Sequence, residues 1–289
     1  MKSGLRHTTL WSALVLAVCA GCAQPSATER AQSLVREHHE DDAVALLRAR
    51  VASHPEDVAA ARLLVRVLGF TGDLPGARLE AEALARRLGP ADPTPYVELG
   101  HALELAHRYD EALAEYDEAA SVAPASPAGP REGGMRAARW GEVDEARPRL
   151  EEAIRRGARD VETWHALGLV RLHLGDDAGA EEAYRACTAA DPRAPECWLG
   201  LATVALSRGD AQAALDAYAQ VLARRPTFAP AELGRAWALA KLGRVAEASR
   251  ALDHAADLGA PPENVRRQRA ALAVAPVAST TQGDAGANP

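Results

Sequence analysis

The sequence predicts an all-α fold, a solenoid of stacked helix-turn-helix hairpins, and three observations predict it. Gly141, Gly175, Gly209 and Gly243 stand 34 residues apart, and Ala146, Ala180, Ala214 and Ala248 keep the same interval. Further columns run in step: Tyr116, Tyr184 and Tyr218 with Leu150 and Leu252 filling the places between and after, Trp164 with Trp198, and Pro124 with Pro192 and Pro226. Alanine, leucine, arginine and glutamate dominate and aromatics make up only 4%, so good helix formers must build a core from small side chains in close contact. A fixed period in the range of roughly 20–50 residues is the mark of a repeat architecture.

Each column has a physical reason. Glycine after an apolar helical run supplies the turn that ends a first helix. The alanine that follows sits early in the second helix, where a small side chain lets two antiparallel helices approach. The aromatic one turn on lies on the same face and fills the layer between hairpins. Proline then stops the second helix, since it has no N–H to donate and disfavours a helical residue before it. Seven such units begin near 24, 58, 93, 127, 161, 195 and 229, with one extra residue in the linker before the third. The unit at 127 is unusual: Pro127, Pro130, Gly133 and Gly134 crowd its first helix and Pro148 falls inside its second, so it reads either as a hinge or as a degenerate repeat.

The chain is similar to the tetratricopeptide repeat family. Trp164-His165-Ala166-Leu167-Gly168 matches the aromatic and leucine-glycine of the family's first helix, Trp198-Leu199-Gly200-Leu201-Ala202 matches with alanine for glycine, and Tyr96-Val97-Glu98-Leu99-Gly100 with tyrosine. The second-helix pattern appears as Ala112-Tyr116-Pro124, Ala180-Tyr184-Pro192 and Ala214-Tyr218-Pro226. The resemblance implies a right-handed α-solenoid whose first helices line a concave, protein-binding face. Mapped onto this chain, it places Arg62, Arg66, His101, Leu105, Arg131, Met135, Arg139, His165, Leu169, His173, Leu199, Thr203, Trp237 and Lys241 in the groove. That stripe reads as acid-poor, with Arg131, Arg139, His165 and His173 on one strip beside an apolar floor of Leu169, Leu199 and Trp237. It suits an extended or helical peptide with acidic and apolar side chains. The family's asparagine-containing clamp for a terminal carboxylate does not carry over, because the only asparagines are Asn264 and Asn288.

The ends read differently. Lys2 and Arg6 precede an apolar stretch from Leu10 to Val18, too short to span a bilayer, and then Cys19-Ala20-Gly21-Cys22. This resembles a bacterial lipobox. It implies a signal peptide over 1–21, lipidation of Cys22, a tether over 22–27 and an outer-membrane lipoprotein facing the periplasm, the alternative being an ordinary signal peptide and a soluble periplasmic chain. Two or more acyl chains on one cysteine suffice for stable anchoring. The solenoid is expected over 28–274, closed by a capping helix from Glu263 to Val274. Residues 275–289, rich in Ala, Ser, Thr, Gly, Asn and Pro, are expected to be disordered.

Loss of residues 1–21 removes two cations and no acid, so the formal charge of −7 becomes −9, which argues against nucleic acid as partner. Cys187 and Cys197 remain as an even pair, read either as a disulfide in an oxidising compartment or as two buried thiols. No phosphate-binding glycine loop, nucleophile elbow or metal-binding signature appears, and neither cofactor nor metal is expected. His38-His39-Glu40-Asp41-Asp42 reads as a loop with acids at a helix start. The expected function is a non-enzymatic, membrane-anchored interaction scaffold in the bacterial envelope, its architecture looking like that of lipoproteins that help assemble outer-membrane machines, such as pilotins of type IV pilus secretins. The alternative is a recruiting subunit of an envelope enzyme acting on peptidoglycan or exopolysaccharide.

Overall fold

A computed structural model describes residues 25–274. The expected signal peptide, Cys22 and the tail over 275–289 lie outside the described residues. Fifteen α-helices follow one another with no strand among the described residues. First helices are α1 (Ala27–Arg36), α3 (Val58–Phe70), α5 (Thr94–Leu105), α7 (Ala128–Trp140), α9 (Val161–His173), α11 (Pro195–Ser207) and α13 (Ala229–Lys241). Their partners are α2 (Glu40–Ser53), α4 (Leu74–Leu88), α6 (Tyr109–Val122), α8 (Val143–Arg155), α10 (Asp177–Ala190), α12 (Ala211–Arg224) and α14 (Val245–Asp257). The last helix, α15 (Pro262–Val274), is in phase with an eighth first helix and covers the end of the stack through Val265 and Leu272. The solenoid begins at Ala27, where Ser26 and Glu29 form a capping box, one residue before the expected start.

Local chemistry sets the boundaries. Asp57 and Asp160 cap first helices, and Asp73, Asp176 and Asp210 cap second helices, each accepting from a backbone N–H three residues on. The turn between the two helices of a hairpin requires a left-handed residue, supplied by Gly72, Gly141, Gly175, Gly209 and Gly243 with φ between +72° and +87°. In the first and third hairpins His38 (φ 61°) and His107 (φ 59°) hold that place. This is why the glycine column starts late in the sequence: the backbone turn is kept where the residue type is not.

The aromatic column explains the tight stacking. Tyr184 is fully buried, its ring clamped between α9 and α11. A Cβ on Gly168 of its own hairpin would sit 2.7 Å from the ring, and one on Gly200 of the next hairpin closer still. Tyr116 sits likewise against Gly100, and Tyr218 against Gly234. Successive first helices from α1 to α11, and α13 with α15, touch one another, whereas no two successive second helices pack to a comparable extent, so the stack closes toward the first helices and these line its inner face.

The hairpin at 127 is complete. Pro130 lies in the first turn of α7, where an N–H has no helical acceptor in any case. Pro148 lies inside α8 on its exposed side, where the carbonyl it leaves free meets water. Gly129 and Gly134 are packing positions: a Cβ at Gly134 would meet Leu150 Cγ at 2.8 Å, and one at Gly129 would press on the backbone of Ala120. The unusual composition therefore answers a close helix approach, and the helices run as in the neighbouring hairpins.

Candidate functional site

The inner face carries three rows of side chains, one turn apart along each first helix. The structure divides the expected stripe into regions of different character. At the N-terminal end Arg62, Arg66 and His101 are not free. Glu98, with no exposed side-chain surface, accepts from Arg62 Nε at 2.7 Å and from Arg66 Nη2 at 2.9 Å, with Arg66 Nε also against it. His101 stands 3.6 Å from Glu98 and 3.2 Å from Glu132, and Arg136 joins Glu132 to Glu104. Burial pushes the Glu98 carboxyl up, but His101, Arg66 and Arg62 outweigh it and hold it down at about 2. Burial opposes a charge on His101 too, yet its bond to Glu132 and the Glu98 carboxylate 3.6 Å away raise it above the ordinary imidazole range.

Arg131 is likewise committed. It donates to Asp160 at 3.0 and 3.2 Å, to Thr163 at 3.1 Å and to Glu132 at 2.9 Å. Burial raises the Asp160 carboxyl, but the bonds from Arg131 and Thr163 prevail and hold it well below the usual carboxylate range. The expectation of an acid-poor stripe is thus corrected. Glu98, Glu132 and Asp160 enter the inner face and neutralise the arginines, forming a ladder of ion pairs from α3 to the start of α9. Glu98 and Glu132 were missed, although a signal existed. They stand one period apart, in the column that Ala166, Gly200 and Gly234 continue with small residues.

The centre of the groove is different. Met135, Arg139, His165, Leu169 and His173 line one pocket of about 380 Å³ between α7 and α9, together with Ala138, Val161, Glu162, Ala166, Val170 and, from α11, Glu196. Its floor is apolar and Leu169 is 40% exposed. Among the described residues Arg139, Glu162 and Glu196 have no ion-pair partner. His173 Nδ1 lies 2.8 Å from the Leu169 carbonyl, and the His165 ring lies 5.9 Å from that of Tyr184. Burial lowers His165, so its protonation moves below the ordinary imidazole range.

The apolar floor is not continuous. Leu199 packs into the interior with Tyr218 and Ala202. Thr203 donates to the Leu199 carbonyl at 2.9 Å. Trp237 and Lys241 border a separate pocket against Gln268 and Leu272 of α15, with Lys241 Nζ 4.9 Å from the Trp237 ring centre. Leu105 is 44% exposed at the end of α5. Cys187 and Cys197 form a disulfide with Cα atoms 5.6 Å apart, tying α10 to α11 beside Trp164. His38, His39 and the acids after them lie at the start of α2, with His38 3.7 Å from Glu40 and His39 3.9 Å from Asp42.

An all-α solenoid of helical hairpins, concave on its first-helix side, defines a class of repeat scaffold. Sequence profiles of the tetratricopeptide repeat match residues 28–93, 161–204 and 205–272, together more than half of the chain, and the chain belongs to the tetratricopeptide repeat proteins. None of the matched profiles describes a catalytic family. Residues 94–160 fall outside the profiles although they fold as two complete hairpins. No curated protein matches the chain. Among solved structures it is similar to YrrB, described as a TPR protein with an unusual peptide-binding site (20% identity, 64% of this chain and 96% of that one, TM-score 0.58). It is also similar to the C-terminal part of a TPR repeat-containing protein from Cytophaga hutchinsonii (13%, 83% and 98%, 0.62) and to PilF of Pseudomonas aeruginosa (16%, 76% and 99%, 0.57). At these identities the likeness is one of fold.

Proposed function

We propose that this chain is an envelope-anchored scaffold that binds a protein partner through the central section of its concave groove. A tetratricopeptide solenoid is a surface for binding peptides or proteins. The observation that carries the finer reading is the pocket between α7 and α9. It combines an open apolar floor of Met135 and Leu169 with the guanidinium of Arg139, which no acid of the described chain engages, and the imidazole of His173 beside it. From α3 to the start of α9 the other inner-face arginines are already paired within the fold. A partner offering an apolar side chain and a nearby acid gains burial and charge-assisted hydrogen bonds there. The solved neighbour described as having a peptide-binding site offers a precedent at the level of fold.

Two features support an exported, membrane-tethered location. The sequence over 1–22 reads as a signal segment ending at a lipidated cysteine. The Cys187–Cys197 disulfide suits an oxidising compartment. No helix of the described residues is long and apolar enough to cross a membrane, so attachment would rest on the acylated Cys22.

The test is affinity capture from solubilised envelope with wild-type protein and with Met135→Glu/Leu169→Glu. One envelope protein held by the wild type and lost with the variant supports the proposal. Equal capture by both overturns the groove assignment. Capture of a peptidoglycan or polysaccharide enzyme, in place of an outer-membrane component, would favour the recruiting-subunit alternative.

A further inference from the structure

The central pocket is electrically polar across its width. Glu162 and Glu196 stand in the first turns of α9 and α11, at one rim. Arg139 and His173 stand in the last turns of α7 and α9, at the opposite rim. Between them lie Met135 and Leu169, with Ala138, Ala166 and Val170 beneath. Glu162 and His173 are eleven residues apart on one helix, which at 1.5 Å per residue separates the rims by about 16 Å.

What marks these charges is that they are unspent. Adjacent cations on the same helices are all engaged: Arg131 by Asp160 and Glu132, Arg136 by Glu104 and Glu132, Arg171 by Glu151 and Glu182. Arg139, Glu162 and Glu196 have no ion-pair partner among the described residues, and all three border the same apolar pocket. Each charge complements the dipole of its own helix, which accounts for its end of the helix. The dipole does not account for the convergence of unpaired acid and base on one apolar floor while neighbouring arginines find partners.

Building on the groove reading above, we infer that this section takes an extended peptide segment of about five residues from a protein partner. The segment lies along the first helices, with an acidic side chain toward Arg139 and His173, a basic side chain toward Glu162 and Glu196, and an apolar side chain between them on Leu169 and Met135. Charged residues at positions i and i+4 of an extended strand have Cα atoms about 13 Å apart, and their side chains reach outward to span the rims. A wholly acidic segment would put like charge against Glu162 and Glu196, and a wholly basic one against Arg139, so the polarity selects against both.

The test uses the full chain and three peptides blocked at both termini: Lys-Ala-Leu-Ala-Glu, Glu-Ala-Leu-Ala-Glu and Lys-Ala-Leu-Ala-Lys, titrated by calorimetry at low ionic strength. The mixed-charge peptide should bind at least tenfold more tightly than either other. Arg139→Glu should move the preference to the dibasic peptide, and Glu162→Lys/Glu196→Lys to the diacidic one. These side chains lie on the groove surface, and circular dichroism verifies that the variants fold. If the diacidic peptide binds the wild type as tightly as the mixed one, and Leu169→Glu abolishes binding, the polarity is wrong while the groove reading stands. If no peptide binds at millimolar concentration, or Leu169→Glu leaves binding unchanged, this inference falls, and in the second case the groove reading falls with it.

Discussion

The repeat frame predicts a specific cost for adding one carbon at Gly200. A Cβ there would press on the Tyr184 ring, which has no exposed surface and little room to retreat because Gly168 also packs on it, so closely that a Cβ on Gly168 would stand 2.7 Å from the ring. Overpacking of this kind costs about 1–3 kcal/mol. Replacing a helical glycine by alanine returns roughly 0.5–1 kcal/mol of backbone propensity. The net expectation for Gly200→Ala is a loss of about 1–2 kcal/mol, or roughly 2–8 °C in melting temperature for a chain of this size. The clash is with the ring, so the cost should nearly vanish in a Tyr184→Leu background, as Leu150 already packs with Ala166 one period earlier. Thermal and urea unfolding of wild type, both single variants and the double variant measure this. A Gly200→Ala protein as stable as wild type, or a double variant whose losses simply add, would refute the clamp. Tyr184 also underlies His165, so the same cycle reports on the support beneath the pocket.

Three further outcomes follow from the same physical account. Cys22→Ala should leave the protein soluble or uncleaved, and mass spectrometry of the wild type should find acyl chains on Cys22; an unacylated wild type together with a variant that stays on the outer membrane through a carbonate wash would remove the anchor. Glu98 has a folded value of about 2 against an ordinary 4.5, so it contributes stability above the carboxylate range that is lost as pH falls from about 4.5 to about 2, worth about 3 kcal/mol in all, whereas His101, raised above 6.5, contributes stability lost as pH rises through its folded value. Melting temperature against pH should therefore peak between these ranges, and Glu98→Gln should flatten the acid limb; an unchanged acid limb contradicts the ion-pair ladder. The disulfide closes a loop of ten residues' separation, so Cys187→Ser/Cys197→Ser should cost about 2–3 kcal/mol, seen as earlier urea unfolding of the hairpins on either side of it, and reductant should have no effect on the variant.

Much of the fold was legible because a 34-residue period is a statement about geometry. Helix starts follow the aspartate caps and proline stops, and Tyr116, Tyr184 and Tyr218 fall in the buried layer as their column requires. The turn at His38 and His107 was hidden because a left-handed backbone tolerates histidine as well as glycine. The unit at 127 was ambiguous because composition alone does not distinguish glycine needed for space at Gly129 and Gly134 from glycine that loosens a helix. The state of the expected groove residues was not legible. Whether Arg62, Arg66 and Arg131 are available depends on Glu98 and Asp160, which approach from a neighbouring hairpin. Pairing of that kind is a tertiary fact, set by which column of one repeat meets which column of the next.

Binding of a partner on the concave face between α7 and α9 is open to direct test. Site-specific photo-crosslinking in intact cells tests it most directly, with a benzophenone amino acid in place of Leu169 in the pocket or of Leu79 on α4, a second-helix position 65% exposed. A discrete protein adduct is expected from the Leu169 site, lost when Met135→Glu is added, and none from the Leu79 site. An adduct from Leu79 with none from Leu169 would place the interaction on the outer face and contradict binding on the concave face.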